Sequence, residues 1–101
     1  MFDNVENYII YPFLKNEFGV VESAYFLGQG IDQGVEIYSY LVNYKYVIEF
    51  DLSTIDNTII KNEIVTVTEY ERTLAGKGRA KKEARDLLRQ LMKKKDDFSL
   101  R

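Results

Sequence analysis

At 101 residues, 46% hydrophobic and 14% aromatic, the chain has apolar material for one core, so one domain is expected. It contains neither cysteine nor histidine, which excludes disulfides, thiolate metal sites and cysteine nucleophiles and removes the commonest general base; no catalysis, metal site or cofactor is expected. The formal charge of -2 conceals a division, because Met1 to Glu71 carries three Lys/Arg against twelve Asp/Glu, about -9, and Arg72 to Arg101 eleven against four, about +7.

No apolar run approaches the ~20 residues of a membrane span, and acidic Asp3 and Glu6 lie near the start rather than a basic leader. A cytoplasmic protein with no membrane partner is expected. The abundance of Ile, Asn, Lys and Tyr fits an AT-rich coding source of bacterial or phage type.

In chain order, Phe2, Val5, Ile9 and Phe13, with Ile10, Leu14 and Phe18 beside them, recur at helical spacing and predict a helix over roughly 3–17, closed by Gly19. Pro12 removes a backbone donor inside it, so one kinked helix is expected, with two short pieces as the alternative. Val20 to Leu27 fits a short strand or more helix, and Gly28 to Gly34 reads as a loop. From Glu36 to Leu52 the even positions include Tyr38, Tyr40, Val42, Tyr44, Tyr46, Ile48, Phe50 and Leu52, a period of two that predicts β structure. Seventeen residues exceed one strand, so a turn near Asn43 to Lys45 is expected, and a three-residue loop would keep the aromatic parity. Ser53 to Ile60 then reads as a loop and Lys61 to Arg72 as a further strand.

Arg79 to Lys95 carries the clearest helical pattern. Ala80, Ala84, Leu87, Leu88 and Leu91 gather on one side, Lys81, Lys82, Arg85, Arg89 and Lys93 on a second, and Glu83, Asp86 and Gln90 on a third. The domain is expected to span 1–95, with 96–101 as a frayed tail. The predicted fold is α+β: an αβββα sandwich with a three-stranded antiparallel sheet, a fourth strand being allowed, and two helices packed on one face.

Ahead of that helix, Gly76 and Gly78 allow positive φ and close approach of main-chain N–H groups to an anion, with Lys77 and Arg79 beside them. The segment Gly76-Lys77-Gly78-Arg79-Ala80-Lys81-Lys82-Glu83-Ala84-Arg85 resembles the double-stranded RNA-binding domain, whose last helix opens with Gly-x-Gly-x-Ser-Lys-Lys-x-Ala-Lys and whose topology is αβββα. The match is specific over about ten residues; Ala80 stands where the family has serine, Leu87-Leu88 where it has a small pair, and its Gly-Pro-x-His loop has no counterpart. The resemblance implies that Lys81, Lys82 and Arg85 contact phosphates across the major groove of a duplex.

The expected function is therefore non-catalytic binding of duplex or structured RNA, or of DNA, through Lys77, Arg79, Lys81, Lys82, Arg85 and Arg89. The alternative is a protein-interaction module, such as a small phage-type regulator or anti-defence inhibitor, which keeps the scaffold but binds a protein partner or forms a homodimer. Tyr38, Tyr40, Tyr44, Tyr46 and Phe50 are assigned to the core rather than to base stacking. Glu49, Asp51, Glu63, Glu69 and Glu71 are expected on an acidic sheet face, with Glu69 and Glu71 side by side.

Overall fold

A computed structural model describes residues 5–99, with side chains described as far as Lys95. One π-helical turn, Glu6–Ile10, runs directly into helix α1, Tyr11–Phe18. Pro12 accounts for the join: it has no N–H to offer the carbonyl four residues back, and the Tyr11 N–H instead bonds the Glu6 carbonyl, five residues back. Pro12 then occupies the first turn of α1, where no donor is needed. Gly19, at φ 77°, ends the helix by donating its N–H to the Lys15 carbonyl at 2.8 Å. Phe2 and the expected helix start at residue 3 lie outside the described residues.

Strand β1, Ala24–Asp32, pairs antiparallel with β2, Val35–Val42. The expected loop at Gly28 to Gly34 is thus mostly strand. Gln33 and Gly34, at φ 46° and 81°, make the two-residue turn alone. Ladder pairing with β2 overrides the weak strand propensity of Gly28 and Gly30, and a register shift between Phe26 and Gly28 absorbs the irregularity at an edge.

Strand β3, Tyr46–Ser53, follows a three-residue turn, Asn43 to Lys45, and pairs with β2 with Tyr40 opposite Ile48 and Tyr38 opposite Phe50, which keeps the expected parity. Strand β4, Ile59–Thr66, completes a four-stranded meander in the order β1-β2-β3-β4. The strand expected over Lys61 to Arg72 stops at Thr66, where helix α2, Val67–Thr73, begins. A capping box causes the switch: the Thr66 hydroxyl accepts the Glu69 N–H at 3.2 Å, and the Glu69 carboxylate accepts the Thr66 N–H at 3.1 Å. Helix α3, Arg79–Ser99, continues past the boundary expected at Lys95 into the segment assigned to a frayed tail; Leu100 and Arg101 lie outside the described residues.

The helices do not share a face. Tyr38, Tyr40, Val42, Ile48, Phe50 and Leu52 pack with Ile10 and Leu14 of the N-terminal segment. The opposite parity, Leu41 and Val47, packs with Val67 of α2 and Leu88 and Leu91 of α3. Neighbouring strand residues point to opposite sides of a sheet, so the sheet lies between two helical layers. The reason is local to one end of the hairpin. Tyr40-Leu41-Val42 and Tyr46-Val47-Ile48 are apolar at consecutive positions, which demands cover on both faces.

Candidate nucleic-acid interface

The basic segment begins where α2 ends. Leu74 caps α2 and is buried, and the chain turns through Gly76 at φ 106° and Gly78 at φ 126°, angles at which a Cβ is strained. The Lys82 N–H then bonds the Gly78 carbonyl at 3.0 Å, which makes the first full turn of α3.

Two of the six expected site residues point back at this turn. Arg85 donates one guanidinium nitrogen both to the Leu74 carbonyl, in a short hydrogen bond, and to the Gly76 carbonyl at 3.1 Å. Lys81 donates more weakly, from Nζ to the Ala75 carbonyl at 3.4 Å. Arg79 pairs with Glu83 one turn on, at 3.2 Å, with side chains 93% and 68% exposed, so the pair contributes little stability. Lys77, Lys82 and Arg89 are exposed. Lys82, Arg85, Arg89 and Lys93 follow one another by three or four positions and share a helix face. Lys94 lies apart, its ammonium 4.9 Å from the centre of the Tyr25 ring on β1.

A groove of about 230 Å³ separates the basic face from α2, lined by Glu71, Arg85, Leu88, Arg89 and Met92. A second concavity, about 440 Å³, opens between α2 and strands β3 and β4. Glu49 and Glu63 stand directly opposite each other on paired strands in its wall. Burial, and then the Glu49 charge, push the nearby Tyr70 hydroxyl above the usual tyrosine range. Glu69 also lines it, but its carboxylate is engaged at the helix cap; hydrogen bonds from the Thr66 backbone and then its hydroxyl hold it below the usual carboxylate value. Glu69 and Glu71 are therefore not strand neighbours, and Asp51 accepts a hydrogen bond from Asn62 at 2.7 Å.

The aromatic stripe is largely core. Phe50 stacks on Tyr38 and Tyr40, with ring centres 5.7 and 6.0 Å away, and all three are buried. Tyr44 sits in the β2–β3 turn with its hydroxyl 2.8 Å from that of Tyr25, and Tyr46 is partly exposed against Phe18. What sequence reasoning missed is the capping box, legible as Thr66-x-x-Glu69, which sets α2 and so aims the chain into the glycine loop.

Among the described residues no helix is long and apolar enough to cross a membrane, and no group of three or more acidic side chains is placed to hold a metal ion. No family model, curated protein or solved structure matches the chain.

Proposed function

We propose that the protein binds the phosphate backbone of duplex or structured RNA, without catalysis, through the Gly76 to Gly78 loop and the basic face of α3. The observation that carries this reading is the exposed row of Lys82, Arg89 and Lys93, continued at its start by Lys77 in a positive-φ glycine loop. Such a row neutralises phosphates without reading bases, so affinity should depend strongly on salt and little on sequence. Arg79 can exchange its exposed partner Glu83 for phosphate, while Lys81 stays on the Ala75 carbonyl. The resemblance of Gly76 to Arg85 to the double-stranded RNA-binding domain supports RNA over DNA.

The test is a titration of duplex RNA, duplex DNA and single strands at several salt concentrations. Lys82→Ala with Arg89→Ala should weaken binding to all sequences alike and flatten the log-log salt dependence by about 2 units, close to one per lost phosphate contact. A double variant with unchanged affinity and slope would overturn the reading.

The acidic concavity favours a second reading, a protein module that presents Glu49 and Glu63 to a basic partner or to a second copy of itself. Like charges facing each other across paired strands cost stability, which a cationic partner would offset. Failure of the wild-type protein to bind any nucleic acid at low salt, with salt-sensitive dimerisation in sedimentation, would favour it.

A further inference from the structure

The side chain of Arg85 faces its own backbone. It spans the end of α2 and the glycine loop, bonding the carbonyls of Leu74 and Gly76, while Lys81 reaches the carbonyl of Ala75 between them. Three successive carbonyls are thereby held against the first two turns of α3. A planar trans peptide unit points its carbonyl and the following N–H in opposite directions. Holding the Ala75 and Gly76 carbonyls inward therefore turns the N–H groups of Gly76 and Lys77 outward, and neither has an acceptor among the described residues. The loop needs such a restraint, because glycines at φ 106° and 126° lose more backbone freedom on ordering than any other residue.

We infer that Arg85 is a positioning residue of the phosphate interface rather than a phosphate ligand: it fixes the 74–78 turn so that Lys77 and the two outward N–H groups face the same anion. This rests on the phosphate-binding reading above. It assigns the third basic position of the segment a role different from that of Lys82 and Arg89, although all three share a helix face. Both carbonyls are met by one terminal guanidinium nitrogen, which the arginine side chain carries one bond farther from Cα than lysine carries its ammonium, so lysine falls short of the turn.

The experiment compares Arg85→Lys, Arg85→Gln and Lys82→Ala with wild type in two measurements. Amide hydrogen exchange at Leu74 and Ala75, whose N–H groups bond the Glu71 and Arg72 carbonyls, read without ligand, should accelerate by about tenfold in both Arg85 variants and stay unchanged in Lys82→Ala. Affinity for an RNA duplex should fall about three- to tenfold in both Arg85 variants through lost preorganisation. The salt slope should hold in Arg85→Gln to within about half a unit, whereas Lys82→Ala should lose about one. Thermal melting confirms that the variants are folded. Unchanged loop exchange in Arg85→Lys and Arg85→Gln overturns the inference, as does a loss of about one slope unit in Arg85→Gln, which would make Arg85 a phosphate ligand. If wild type binds no duplex at low salt, the phosphate reading fails and the interface role falls with it, while the exchange result still reports separately whether Arg85 orders the turn.

Discussion

The hydroxyl of Tyr40, a buried residue of β2, donates a 2.6 Å hydrogen bond to the carboxylate of Glu6 in the π-helical turn. It ties the sheet to the N-terminal layer across a sequence separation of 34 residues. Tyr40→Phe should therefore destabilise the fold by about 1–2 kcal/mol, the net worth of a hydrogen bond to a charged acceptor, since the half-buried carboxylate can regain water. Urea unfolding of both proteins measures it, and an equal midpoint would show that the contact carries no net stability.

The same hydroxyl makes stability sensitive to alkali. Burial first, and then the Glu6 hydrogen bond, hold the Tyr40 proton well above the ordinary tyrosine value of 10.0. The Tyr44 hydroxyl is pushed up to about 12, chiefly by its hydrogen bond with Tyr25. A raised native pKa means that the folded chain keeps protons the unfolded chain releases, so the contribution is complete below 10.0 and is lost as pH rises through the native values. Denaturant midpoints should fall above about pH 10, with phenolate absorbance rising together with unfolding.

Acid acts at the cap of α2. The Glu69 carboxyl lies below its ordinary 4.5, because hydrogen bonds from the Thr66 backbone and then its side chain favour the charged form. With the native value lowered, the unfolded chain binds more protons in this range. The cap's contribution is present above 4.5 and is lost as pH falls through the native value. Protection factors of the α2 amides, rates corrected for the intrinsic pH dependence of exchange, should fall on acidification through that window, and Glu69→Gln should remove most of that fall.

Two cores on opposite faces predict additive damage. Leu14→Ala in one and Leu91→Ala in the other should each cost about 2–5 kcal/mol. Because the side chains share no partners across the sheet, the double variant should equal their sum within about 0.5 kcal/mol. Calorimetric or denaturant unfolding tests it, and a large coupling energy would mean that the layers are not independent.

Lys94 and Lys82 separate structural from interfacial cations. Lys94→Ala removes the contact with the Tyr25 ring and should cost about 0.5–1 kcal/mol of stability, while leaving the salt dependence of RNA binding unchanged. Lys82→Ala should do the reverse. A thermal melt beside a salt titration reads both.

The β2–β3 hairpin and α3 were legible because each has a strong period and each buries the side its pattern marks: Tyr38, Tyr40 and Phe50 in one case, Leu88 and Leu91 in the other. The turn near Asn43 to Lys45 followed from length, since seventeen residues exceed one strand, and its three residues from parity. Less legible was β1, whose Gly28 and Gly30 suggest a loop until a partner strand supplies the hydrogen bonds. The helix at Val67 was hidden by β-branched residues, although its Thr66 and Glu69 cap was present in the sequence.

For the candidate interface, sequence by itself determined the charge division, the glycine turn and the basic helix face, since these depend on composition and a 3.6-residue period. Tertiary structure decided which cations face outward. Arg85 and Lys82 share a helix face and a charge, yet only Arg85 lies beside the end of α2, where unpaired carbonyls draw its guanidinium inward. It also decided the layering. Periodicity says that a face is apolar but not which helix covers it, and consecutive apolar residues at Leu41-Val42 and Val47-Ile48 required one helical layer on each side of the sheet.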